Sequence, residues 1–195
     1  KIMTPSMTPS LSTKRVHPLI VQQMTSTSAA FCDTASLLQG KFRGNGVAYL
    51  HGTQVPYVEE LSLVILRRNP KMVVYRLQQD TRHATISDKP MHLEVGVLKI
   101  LSSENQQLPA EAGITHPFPK GTVTELAKGT LDTATNSLVL ESTGFQRINE
   151  NDDKQVTFLK RVYRRQGSKL TFDQYLGVND EEPTHHLHCE LELQE

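Results

Sequence analysis

Three short stretches of this sequence bring together residues able to do chemistry. The richest is Thr184-His185-His186-Leu187-His188-Cys189-Glu190. In a strand His186 and His188 share one face, about 6–7 Å apart, and imidazoles suit zinc, copper or haem iron. A discrete His-x-His metal site needs a third ligand, for which His92 and His51 are the sensible offers; without one, the stretch is a polar strand face. The second stretch is Lys89-Pro90-Met91-His92-Leu93-Glu94-Val95-Gly96. His92 and Glu94 fall on one strand face, where the carboxylate favours the imidazolium or fixes its tautomer. They read either as a pair lining an internal cavity or as a contact on a solvated face. The third is Gly40-Lys41-Phe42-Arg43-Gly44-Asn45-Gly46, whose spacing opens a strand that bends sharply or approaches something closely. With no helix after it, the run reads as a bulge where a first strand turns a corner.

The elements that must position these residues follow from periodicity. From Gly40 onward apolar residues recur with period two. Tyr57 to Leu66 reads as a strand closed by a turn at Arg67-Arg68-Asn69-Pro70, followed by strands over Lys71–Gln78 and Met91–Leu101. Thr122–Lys128 pairs with Ser137–Ser142 across a turn at 132–136. Gln155–Arg164 and Lys169–Leu176 form a hairpin around Gln166-Gly167-Ser168, and His186–Leu193 alternates strictly. Strands at this spacing with short polar turns predict an antiparallel all-β barrel or sandwich; a closed barrel removes exposed edges and can hold one small ligand.

Residues 1–15 are Ser, Thr and Pro-rich and predict a flexible tail ahead of a domain over 16–195. Residues 16–39 read as a partly helical lead-in, with a helical turn at Asp33–Leu38 stopped by Gly40. Lys and Arg number 21 against 21 Asp and Glu, so no basic excess exists to hold nucleic acid. No run of 18 apolar residues exists for a membrane-spanning helix, so neither partner class is expected. Two cysteines, Cys32 and Cys189, are too few for a disulfide framework and fit an intracellular protein, cytoplasmic or nuclear. No Walker loop, nucleophile elbow or Cys-x-x-Cys pair occurs.

The three stretches, in this order, resemble the nitrobindins, haem-binding β-barrels akin to lipocalins and fatty-acid-binding proteins. Leu37-Leu38-Gln39-Gly40-Lys41-Phe42-Arg43-Gly44-Asn45-Gly46 is similar to the family's Leu-Leu pair and Gly-x-Trp-x-Gly-x-Gly motif, with Phe42 for the Trp. Tyr57-Val58-Glu59-Glu60 resembles its Tyr-x-Glu-Glu strand, and Pro90 to Gly96 its Pro-x-His-x-Glu-x-Gly segment. Arg161-Val162-Tyr163, Lys169-Leu170-Thr171-Phe172 and His186-Leu187 match the last hairpin and closing strand, and His17-Pro18 the segment ahead of the barrel. The resemblance runs from Leu37 to the end.

It implies a ten-stranded lipocalin-like antiparallel barrel with a short helical lead-in, holding ferric haem b at its open end. His186 would be the proximal iron ligand and catalytic residue, with Leu187 beside it. His92 and Glu94 would line the same cavity, and Lys154 would meet a haem propionate. The implied chemistry is nitric oxide binding and isomerisation of peroxynitrite to nitrate, and a homodimer is compatible with it. His51 stands where the family has a Thr approaching the haem, and residues 102–120, with Pro109, Pro117 and Pro119, read as a long loop capping the barrel mouth. Strict alternation adds a conflict. If His186 points inward, so do His188, Glu190 and Glu192, while Leu187, Cys189, Leu191 and Leu193 face out. Burying those carboxylates is costly. Either His186 sits at the rim, or the leucine face is internal and the haem site is degraded. Three rival readings remain: a haem-free barrel for a small hydrophobic ligand such as a fatty acid, a non-haem metal site on His186 and His188, and an interaction domain.

Overall fold

The computed structural model describes residues 30–50, 52–86, 89–118, 122–148 and 155–194. His51, Lys154 and the segment 1–29, with His17-Pro18, lie outside the described residues. A helical turn, α1 (30–35), leads into ten strands. These are β1 (Gly40–Leu50), β2 (Thr53–Asn69), β3 (Met72–His83), β4 (Pro90–Leu101) and β5 (Gln107–Phe118). They continue as β6 (Val123–Asp132), β7 (Ser137–Arg147), β8 (Val156–Gln166), β9 (Lys169–Val178) and β10 (Thr184–Leu193). Each strand pairs antiparallel with the next, and β1 pairs with β10 to close the barrel. The expected ten-stranded barrel is therefore the observed one; closure leaves no edge strand, although the β7–β8 ladder pairs only Ser137–Glu141 with Lys160–Arg164 and the two strands separate beyond it toward the other end.

Alternation explains why these residues form these strands. In β3, Val73, Tyr75, Leu77, Gln79 and Thr81 are buried while Arg76, Gln78 and Arg82 are exposed. One end of the barrel is made by short connections at 70–71, 102–106, 133–136 and 167–168. Phe42, Leu63, Ile100, Leu138 and Leu170 pack there, and Ala35 and Leu38 from the lead-in cover them. The Tyr75 hydroxyl donates to the Ala35 carbonyl, and Arg165 donates to the Leu37 and Gln39 carbonyls at 2.5 and 2.8 Å, which ties the lead-in to the β8–β9 hairpin. The helix ends at residue 35, a turn earlier than the glycine stop predicted.

Two expectations are corrected here. Residues 102–120 are not a capping loop: 107–118 are strand β5, paired on both sides. The prolines are tolerated because Pro109 lies beyond the last β4 pair, Ile100 with Ala110, and Pro117 at the register shift between Leu93 and Val95. The glycine run is not a bulge either, since β1 keeps unbroken register with both neighbours. Close approach is what excludes side chains: a Cβ on Gly44 would lie 1.9 Å from the Glu190 carbonyl oxygen, and one on Gly46 would lie 2.3 Å from the Tyr57 ring. Phe42 sits at the closed end, six residues along β1 from Ala48, the partner of Leu187. At strand rise that is about 20 Å from the histidine-bearing end.

Candidate functional site

The other end of the barrel has the longer connections, and all six described histidines lie in that half: His83, His92, His116, His185, His186 and His188. They gather there because β4 and β10 begin at this end, with His92 and His185 to His188 near their starts, while β3 and β5 finish at it with His83 and His116.

His186 owes its position to an irregularity. Along the β10–β9 ladder His185 faces Tyr175, Leu187 faces Gln174 and His188 faces Asp173, so His186 is an extra residue opposite none. Such a bulge resets alternation. Beyond it Leu187, Cys189 and Leu191 point into the barrel, while His188 and Glu190 point out. The alternation conflict disappears, because no carboxylate of this strand has to follow His186 inward. His186 itself is half-buried at the rim. Burial pushes its imidazole pKa down, a backbone hydrogen bond to Tyr49 opposes that, and the nearby His92 and His185 lower it further. At neutral pH the ring is neutral, with one nitrogen held by a backbone carbonyl, which is the state a metal ligand requires.

Behind the rim lies a buried ionic network. Glu94 is fully buried, as are Glu125 and Arg161. Arg161 Nη2 donates to Glu94 Oε1 at 2.9 Å and Nη1 to Glu125 Oε2 at 2.5 Å. His92 Nε2 lies 2.7 Å from Glu94 Oε1, and His116 reaches Glu94 at 3.3 Å through Nδ1 and Glu125 at 3.4 Å through Nε2. Burial would raise the Glu94 pKa, but the Arg161 and His116 charges hold it well below the usual carboxylate range. Burial would likewise depress His116, yet Glu94 and Glu125 lift it to about 9, so it is an imidazolium at neutral pH. Two carboxylates thus face two cations, the arrangement that makes buried charge tolerable. Alongside, Glu59 is buried and its pKa is pushed up by desolvation, although the Thr81 hydroxyl donates to it at 2.7 Å.

Of the predicted residues, His186, Leu187, His92 and Glu94 converge on the open end; the solvated reading of His92 and Glu94 is overturned by their inward direction. His51 and Lys154 lie outside the described residues. His188 is not on the face of His186, so the metal site built on that pair does not form; its outward neighbour is His185, and both contact Asp173. Arg161, Glu125 and His116 were missed as site residues. Each shares inward parity with apolar neighbours, Tyr163, Ala127 and Ile114, and a charge at a core position of a strand was the available signal.

The described donor set fits a haem iron at His186: a neutral, anchored imidazole at a mouth whose wall includes the apolar Leu187, Val55 and Met91. Residues 32–192 match the family model described as "THAP4-like, heme-binding beta-barrel domain". Among solved structures the chain is similar to Rv2717c from M. tuberculosis, with TM-score 0.65 and 23% identity over 87% of this chain and 98% of that one. It is also similar in fold to the S-type phycobiliprotein lyase CPES from Guillardia theta, with TM-score 0.54 and 8% identity over 88% and 97% of the two chains. No curated protein matches the sequence. A barrel of this topology, its histidine-lined mouth and a family match across most of its length lead to one conclusion: the chain belongs to the THAP4-like haem-binding β-barrel family, the nitrobindins.

Proposed function

We propose that this domain binds ferric haem b at the open end of the barrel through His186, and acts on reactive nitrogen species by binding nitric oxide and isomerising peroxynitrite to nitrate. The observation that carries this reading is the β10 bulge, which delivers a neutral imidazole to the rim and holds it by the Tyr49 backbone. When bound, ferric haem supplies a Lewis-acidic iron with an open position for an oxygen or nitrogen ligand. The chain's residues then have distinct tasks. His186 fixes the iron, and Leu187 sets an apolar wall behind that imidazole. Arg161 and His116 balance Glu94 and Glu125, so the wall behind the mouth presents no net negative charge to an anionic substrate. His92 is the partly exposed edge of that network and faces the His186 side of the mouth. Peroxynitrite and nitrate are isomers, so the conversion needs no net proton or electron from the protein.

The fatty-acid alternative is disfavoured by the same network. The one fully buried guanidinium inside the described barrel is already engaged by two carboxylates. A fatty carboxylate has no free cation to meet there.

The test is the visible spectrum of the protein mixed with ferric haem and desalted. A Soret band is expected in the wild type and its loss in His186→Ala, with the melting temperature unchanged. An intact band in His186→Ala sinks the assignment. Nitric oxide added to the ferric complex is expected to shift the band, and nitrate yield from peroxynitrite is expected to rise above the haem-free control.

A further inference from the structure

The bulge that brings His186 to the rim also has an effect on the outer surface. Without an extra residue, His185 and His188 would face opposite sides of the sheet; with it, they fall on one face, three positions apart, around a single residue of β9. That residue is Asp173. Its Oδ1 lies 3.1 Å from His185 Nε2 and 2.8 Å from His188 Nδ1, and the three ligand atoms all lie within 4.8 Å of one another. Its other oxygen accepts from Arg164 Nη1 at 2.9 Å, which fixes the carboxylate plane and leaves Oδ1 to the histidines. The His185 ring is held between Tyr49 and Tyr175, at centroid distances of 5.1 and 5.0 Å. Both histidine side chains are about two-fifths exposed, at 38%, so an ion from solvent can reach them.

We propose that His185, His188 and Asp173 form a surface site for a zinc-class divalent cation, separate from the rim histidine and facing away from the barrel interior. Two imidazoles and one carboxylate suit zinc, with water completing the shell. Ligand atoms around tetrahedral zinc stand about 3.3 Å apart, so the two short distances to Asp173 need to open by only a few tenths of an ångström. The tilted ring contacts of Tyr49 and Tyr175 with His185 and the Arg164–Asp173 pair are the supports that keep two of the ligands oriented in the absence of metal.

The interior trio of His92, Glu94 and His116 has similar spacing but a different character. Arg161 already occupies Glu94 Oε1, and His116 carries a proton that a metal would have to displace. The outer trio has no such competitor on Asp173 Oδ1 beyond the histidines themselves.

The test uses the full chain without haem, titrated with Co²⁺ for its ligand-field bands and with Zn²⁺ by calorimetry. One equivalent of each ion is expected, with zinc abolishing the cobalt bands. Asp173→Asn and His188→Gln are each expected to weaken binding by at least about tenfold. His92→Gln is expected to leave it unchanged. Asp173→Asn is also expected to keep the haem Soret band, which separates failure here from failure of the haem reading. The proposal is overturned if no saturable binding occurs, or if His185→Gln/His188→Gln binds zinc as the wild type does. It is equally overturned if His92→Gln is the variant that loses it. A zinc-dependent rise in melting temperature is expected as a second readout, and its persistence in His188→Gln would also overturn the proposal.

Discussion

The two halves of the barrel bury different kinds of matter. Toward α1 the inward side chains are Leu63, Ile100, Leu138, Leu170 and Phe42, whose burial is favourable whatever apolar neighbour each one meets. Toward the open end they are Glu94, Glu125, Arg161 and His116, whose burial is tolerable only with the particular partners they have. The closed half is a support built from interchangeable parts, and the open half is a site built from parts that are not. Both occur on the same strands: β4 carries Glu94 at one end and Ile100 at the other.

The largest expected effect comes from removing Arg161, the fully buried one of the two cations that Glu94 and Glu125 share. Arg161→Met leaves Glu94 and Glu125 buried without it, and a loss of about 3–5 kcal/mol is expected in denaturant melts. A variant as stable as the wild type would mean that the open half does not depend on specific partners, and the contrast between the halves would fail.

Next in size is the pH response. His116 is raised from 6.5 to about 9 in the folded chain, so its contribution is fully present below pH 6.5 and is lost as pH rises through about 9. That contribution is on the order of 3 kcal/mol. Glu94 is lowered, so its contribution is present above its ordinary value of 4.5 and is lost as pH falls toward its folded pKa. Melting temperature is therefore expected to peak between these limits, and His116→Gln is expected to flatten the alkaline limb and, because the His116 charge also helps hold Glu94 down, to move the acid limb to higher pH. An unchanged alkaline limb would show that another group carries it.

The smallest effect sharpens the comparison from the closed side. Phe42→Leu is expected to cost about 1 kcal/mol while leaving the haem band where it is. Phe42 replaces the family's tryptophan, but it packs under the Arg165 guanidinium, 5.3 Å from ring centroid to carbon, far from His186. A shifted Soret band in this variant would connect the two ends.

Much of the barrel was legible in the sequence because alternation is a local signal. β3, β4, β8 and β9 are found close to where periodicity put them, whereas the glycine run, read as a bulge in preference to a close approach, proves to be the close approach. Strand β5 was missed because its prolines resemble turn signals; they are harmless only because neighbouring pairs end or shift beside them. The site was half legible. His92, Glu94 and His186 carry family motifs, whereas Arg161 lies 67 residues from Glu94 and 36 from Glu125, and no local pattern announces such partners.

What the sequence determined by itself was the all-β architecture, the faces of most strands and the concentration of histidine near the closing strand. Hydrophobic periodicity encodes these directly, since each residue's side follows from its neighbours along the chain. Which histidine turns to the rim was decided only by tertiary structure. The bulge at His186 exists in the pairing of β10 with β9, and it sends His188 outward to Asp173 while Leu187 goes in. Register between two strands is a property of both, and one strand read alone does not contain it.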